Sequence, residues 1–208
     1  TPATISSPAA SVTKRPKLNH MSSTGGTEDL LSNLSTNDTA NSASDDLSFQ
    51  NRFSRQIATM GLAAVKKLAS QRVLIVGCSS VGVETAKNVI LQGTRAVTLF
   101  DPTVCCVHHL GGNFCTSSNS IGQPLDKVSV PKLAELNKEC AVTRVDGALT
   151  DDVLKAHSVV VITLPLSRAT LEHYNKVCRE HTVDGVPSPI AFMYCFTGGV
   201  FASVFVDH

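Results

Sequence analysis

From Arg72 onward, apolar residues gather into short unbroken runs, separated by stretches in which they recur every three or four positions. A run of β-branched and aliphatic residues after Arg72 gives a first strand, and the run at Ser158–Leu164 is apolar on both faces, the mark of a parallel strand covered by helices above and below. Thr94–Asp101 and Ala141–Val145 supply two further strands. Helical spacing appears in Leu62, Val65 and Leu68, in Thr85–Leu91, and in Leu171, Tyr174 and Cys178. These patterns predict helices over 62–69, from the end of the first strand to about Gln92, over Asp151–His157, and over Ser167–His181. Ile121–Asn137 reads as helical but divided, with Pro131 as the first residue of a new helical turn. Residues 102–120 read as irregular, and Pro189–Val206 as two buried strands joined by a turn at Gly198-Gly199. Strands alternating with helices predict an α/β fold: a Rossmann-like, doubly wound, mostly parallel sheet.

The first 48 residues depart from this pattern. They contain no aromatic residue and are rich in Ser, Thr, Asn, Ala and Asp, so they bury too little apolar surface to offset the entropy of ordering. A disordered tail over 1–48 and a single ordered region over 49–208 are expected. Lys14-Arg15-Pro16-Lys17 has the composition of a nuclear-import cluster, and equally that of a solvated charge run. The net charge of +1 implies no general attraction to nucleic acid or to a membrane surface. The uncharged run at 189–206 alternates at Phe201, Ser203 and Phe205, which favours strands over a membrane span. Seven scattered cysteines without a Cys-Xaa-Xaa-Cys pair suggest reduced thiols in an intracellular compartment.

Candidate chemistry centres on Gly77-Cys-Ser-Ser-Val-Gly82, between the first strand and its helix. Such a turn aims backbone N–H groups and a helix N-terminus at one point, where a phosphate can rest. Gly77 and Gly82 are kept, but Ser79 stands where the middle glycine of a nucleotide-binding loop would allow close approach. Asp101, ending the second strand, occupies the place of an acid for ribose hydroxyls, or of a cap for a neighbouring turn. Cys105-Cys-Val-His-His109 holds metal-capable side chains, yet on an extended chain neighbours point to opposite sides and no tetrahedral site is expected.

Three segments in order carry a family resemblance: Ser54-Arg55-Gln56-Ile57, then RVLIVGCSSVGVETAKNVILQGTRAVTLFD, then SIGQPLDKVSVPKLAELN. From Phe53 to its end the chain resembles the amino-terminal half of the eukaryotic ubiquitin-activating enzyme family, in which two adenylation-like domains pair and only the carboxyl-terminal one performs chemistry. Phe201–Asp207 is similar to the strand after which that family inserts a catalytic-cysteine half-domain, so a fragment of a larger enzyme is expected. Active domains hold ATP phosphates with an Asn and an Arg, and here Gly111 and Gly112 stand at those positions. Leu125 replaces their lysine, and Pro165 their metal-binding aspartate. The resemblance therefore implies an inactive copy that binds no cofactor, with ATP and magnesium held by the active adenylation domain of the same protein. It also implies that Arg55 reaches in trans to that partner's ATP, and that Gly77, Gly82 and Asp101 are remnants of a nucleotide site. The whole enzyme would adenylate ubiquitin, form a thioester on a cysteine outside this chain, and serve conjugating enzymes in cytoplasm and nucleus. The small subunit of a SUMO-activating enzyme is an alternative, as are a NAD-dependent oxidoreductase and a non-enzymatic interaction module. Ser79 and the Arg-Gln preamble speak against the oxidoreductase.

Overall fold

The computed structural model describes residues 47–208. The expected tail over 1–48 lies outside the described residues up to residue 46, including Lys14–Lys17, and Leu47 and Ser48, expected to be disordered, are helical. The chain divides into two compact units, Thr1–Asn51 and Arg52–His208. Of the first, 47–51 are described and are helical. The second contains helices α1 (Ser54–Met60) and α2 (Leu62–Ala69), strand β1 (Arg72–Val76), α3 (Ser80–Leu91) and β2 (Ala96–Phe100). After two short 3-10 turns come α4 (Leu125–Ala134), β3 (Ala141–Arg144), α5 (Asp151–Lys155), β4 (Val159–Ile162) and α6 (Arg168–Arg179). A small hairpin, β5 (Thr182–Val183) with β6 (Val186–Pro187), precedes β7 (Ala191–Gly198) and β8 (Phe201–Asp207).

Six strands form one sheet in the order β3-β2-β1-β4-β7-β8, parallel except for the antiparallel β7–β8 pair. Because successive side chains along each strand point alternately to the two faces of the sheet, it feeds two cores. Val73, Ile75, Val97, Leu99 and Val161 pack with Val83, Ala86 and Ile90 of α3 and with Leu125 and Leu133 of α4. Leu74, Val76, Val160, Ile162 and Phe192 pack on the opposite face with Leu154 of α5 and Cys178 of α6. The expected Rossmann-like fold is therefore present. The winding reverses between β1 and β4, so the ends of those strands border the crevice where folds of this kind receive ligands.

Two local expectations are corrected, and one element is new. Pro131 does not begin a new turn but sits inside the continuous helix α4. Its ring removes the donor for the Lys127 carbonyl, and both residues are exposed, so water can satisfy that carbonyl. The last two strands are not both buried: β7 is covered at Phe192, whereas β8 is exposed along nearly its whole length, with Phe201 76% and Val204 66% accessible. Val183-Asp-Gly-Val186, unread in the sequence, forms a tight hairpin in which Asp184 and Gly185 both take positive φ, at 51° and 79°. That is the geometry for which Asp-Gly is suited. Among the described residues no helix is long and apolar enough to cross a membrane.

Candidate functional site

The carboxyl end of β1 turns sharply at Gly77, whose φ is +107°. Two features make glycine obligatory there. The backbone lies in a region L side chains rarely enter, and a Cβ would stand 2.5 Å from Thr163 Oγ1 and 2.7 Å from the Leu164 nitrogen. Gly82, in the first turn of α3, is tighter still: a Cβ there would lie 1.9 Å from the Gly77 carbonyl oxygen. The helix thus rests directly on the loop that precedes it. Across the switch point, Thr163 and Leu164 donate backbone N–H bonds to the Val76 carbonyl at 2.7 and 3.1 Å, and Thr163 Oγ1 donates to the Gly77 carbonyl at 3.1 Å. These contacts tie the segment after β4 to the turn after β1.

Asp101 is 1% exposed. Its Oδ2 accepts the Cys78 N–H at 2.6 Å and its Oδ1 accepts the Thr103 N–H at 2.9 Å. Both oxygens are therefore engaged in fixing loops. The neighbouring Asp126, also buried, accepts the Asp101 N–H at 3.4 Å. Burial, and then the Asp101 and Asp126 carboxylates, push the Cys78 thiol well above its ordinary range. The Cys178 thiol is raised by burial to about 11, and those of Cys115 and Cys140 are raised chiefly by burial too. All seven cysteines are free, and these four are poor nucleophiles.

The segment after β2 folds over the same turn. Asn113, buried, donates from Nδ2 to the Cys78 carbonyl at 2.7 Å and accepts the Cys115 N–H at 2.7 Å. Gly112 lies so close to α3 that a Cβ would come within 2.1 Å of Ser80 Oγ. Leu125 is 1% exposed within the core, and Pro165 is exposed just beyond β4. In place of an extended chain, Val107–Gly111 form a 3-10 turn, which corrects the sequence expectation for this segment. Cys106, His108 and His109 are thereby brought together. Desolvation, then the adjacent His108, lowers the pKa of His109.

Arg55 stands apart from this cluster, on α1. Its side chain is exposed, and among the described residues its guanidinium has no hydrogen bond or ion pair. Arg52, just before, is tied down: Nη2 donates to Asn137 Oδ1 at 2.9 Å, Nη1 pairs with Glu139, and the guanidinium stacks 5.7 Å from the Phe53 ring centroid. The structure therefore gathers Gly77, Gly82 and Asp101 at one point and leaves Arg55 outside it.

A strand, a glycine turn, a helix laid on that turn, and a buried acid ending the next strand form the core of a Rossmann-like nucleotide-binding fold. The ThiF family model matches residues 53–198. The chain belongs to the ThiF family. Its relatives include ubiquitin-activating enzyme E1 1 of Schizosaccharomyces pombe, 37% identical over 155 residues, which are 74% of this chain and 14% of that protein. Ubiquitin-activating enzyme E1 2 of Arabidopsis thaliana is 36% identical over 187 residues, or 89% of this chain and 16% of the relative. Ubiquitin-like modifier-activating enzyme 1 of Mus musculus is 34% identical, with 85% of this chain and 16% of the relative covered. The chain thus spans about a seventh of the length of these ThiF-family relatives. Among solved structures, E. coli tRNA N6-threonylcarbamoyladenosine dehydratase in complex with AMP shares the fold. The TM-score is 0.55 at 24% identity, covering 73% of this chain and 60% of that one.

His157 carried no signal in the sequence beyond its position before a strand. It is 7% exposed, with Nδ1 2.7 Å from the Val153 carbonyl and Nε2 2.8 Å from Thr98 Oγ1. Only an Nδ1–H, neutral imidazole lets the ring donate to the first and accept from the second. Burial lowers its pKa, the bond to Val153 opposing. It is a structural bridge between α5 and β2.

Proposed function

We propose that this ThiF-family domain is the nucleotide-silent half of a ubiquitin-activating enzyme, a structural partner for an active adenylation domain elsewhere in the same protein. The observation that carries this reading is the engagement of Asp101. Its two carboxylate oxygens hold the Cys78 and Thr103 amides, in a side chain 1% exposed, so the acid is turned into the fold as a brace rather than outward toward a ribose. The remaining residues also do not fit ATP and magnesium. Gly111 and Gly112 offer no cation to phosphates, Gly112 lies against Ser80 at the start of α3, position 125 is core, and Pro165 has no side-chain donor. Nucleotidyl transfer depends on placed cations and guanidinium groups, so a domain without them stabilises no developing charge.

In this reading ATP and magnesium belong to the partner domain, and ubiquitin and conjugating enzymes meet the protein as a whole. Arg55 is, in this reading, directed at the chemistry: a permanently charged planar fork with no hydrogen bond or ion pair among the described residues, suited to bridging phosphate oxygens of the partner's ATP. The test is pyrophosphate exchange into ATP by the purified chain, with and without ubiquitin. Exchange at background supports the reading. Exchange above it, abolished by Asp101→Ala, overturns it.

A further inference from the structure

Outside the glycine turn, one cluster of reactive side chains has no part in the function proposed above. Cys106 Sγ lies 3.2 Å from His108 Nδ1 and 3.1 Å from His109 Nδ1. The ring centroids of the two histidines are 4.1 Å apart. One potential ligand atom from each residue falls within 4.8 Å of the others. The 3-10 turn explains the convergence: at three residues per turn, Cys106 and His109 are eclipsed, and His108 flanks them. In tetrahedral zinc sites, Zn–S near 2.3 Å and Zn–N near 2.0–2.1 Å place sulfur and nitrogen about 3.5 Å apart, so a few tenths of an ångström of opening admits a cation.

We propose that Cys106, His108 and His109 form a three-ligand site for a thiophilic divalent cation, zinc(II) in the first instance, with water in the fourth position. The chemistry favours this class, because one thiolate and two imidazoles suit zinc, whereas carboxylate and carbonyl oxygen sets suit magnesium and calcium. The frame is held on both sides. Before the turn, Cys105 exchanges backbone hydrogen bonds with Gln123 and Gly122 at 2.8 and 2.9 Å. After it, Asn113 is bonded to Cys78 and donates its N–H to the His109 carbonyl at 3.0 Å. Two of the ligands are half-buried and His108 is exposed, so an ion has a route in from solvent. Binding exchanges a proton for the metal: the Cys106 S–H bond breaks, an S–metal bond forms, and the proton leaves to buffer. His109 Nδ1 now accepts the Cys106 N–H at 3.0 Å, so this lone pair turns from the amide to the cation. A bound ion would cross-link the two ends of the turn that overlies the start of α3.

Cobalt(II) is the probe, titrated into the full, reduced chain. A one-to-one complex with a thiolate-to-cobalt charge-transfer band and intense four-coordinate visible bands is expected, bleached by stoichiometric zinc(II). Cys106→Ser should abolish the charge-transfer band, while Cys195→Ser, at the other half-exposed thiol, leaves it intact. His108→Ala, at an exposed position where folding is not at risk, should weaken zinc binding by at least the roughly 10–100-fold that outer-sphere partners alone cost. Zinc should also shield Cys106 from iodoacetamide. Absence of the band, its persistence in Cys106→Ser, unchanged zinc affinity in His108→Ala, or alkylation of Cys106 at the same rate with zinc present would each overturn the site.

Discussion

The Oδ2 of Asp101 accepts the N–H of Cys78 at 2.6 Å, so the end of the second strand fixes the turn that follows the first. The carboxylate acts here as a brace inside the fold. Asp101→Asn keeps the size but puts an amide donor opposite either the Cys78 or the Thr103 N–H. It should therefore destabilise the domain by about 1–3 kcal/mol, the cost of leaving a buried group unsatisfied. Urea unfolding of the two proteins measures this, and an unchanged midpoint would show that the bond carries no stability.

The glycines of the site separate by what they face. Gly82→Ala drives a Cβ into the Gly77 carbonyl, which is backbone and cannot step aside, so a loss of about 3 kcal/mol or more is expected. Gly112→Ala meets the Ser80 side chain alone, its hydroxyl, which can rotate away, and its Cβ at 3.3 Å, so the loss should be smaller, about 1 kcal/mol. Thermal denaturation of both variants gives the ordering directly.

The buried His157 makes stability depend on pH. Its folded pKa is lowered, so near neutrality the native ring is neutral, while the unfolded chain takes up a proton near its ordinary value of about 6.5. Its contribution is then complete above that value and is lost as the pH falls through it toward the lower folded pKa. The unfolding midpoint should drop between about pH 7 and 5, and the drop should be shallower in His157→Gln. Parallel profiles for the two proteins would exclude His157 as the cause.

Arg52 and Arg55 should respond oppositely to truncation. Arg52→Ala removes the bond to Asn137 and the pair with Glu139, and should cost about 1 kcal/mol of stability. Arg55→Ala removes an exposed side chain with no hydrogen bond or ion pair among the described residues and should leave stability within about 0.5 kcal/mol. If the proposed function holds, Arg55→Ala in the full-length protein should slow ubiquitin adenylation at limiting ATP, with Arg55→Lys recovering part of the rate because an ammonium lacks the two-pronged geometry. Wild-type kinetics for Arg55→Ala would reduce Arg55 to a surface residue.

The strands were legible because Val73–Val76 and Val159–Ile162 are buried on both faces, and only continuous apolar runs meet that demand. The loop glycines were legible for the same kind of reason, since positive φ and close approach select for one residue type. Failures came where sequence carries no address. β8 is as apolar as a core strand, and nothing in its residues tells that it lies at an edge of the sheet. Cys106, His108 and His109 converge only because the chain tightens into a 3-10 turn, and an extended reading separates them. His157 gains its role from Thr98, a partner 59 residues away.

The approach of Gly82 to the Gly77 carbonyl separates architecture from activity. Under the function proposed above, a duplicated copy freed from catalysis can shed its phosphate-binding cations one at a time without unfolding, but it cannot replace Gly82 without forcing the helix off the Gly77 carbonyl. The glycine signature then outlives the chemistry it is used to recognise. Silent copies of such domains are told apart by what stands at positions such as 111, 112, 125 and 165, rather than by the loop.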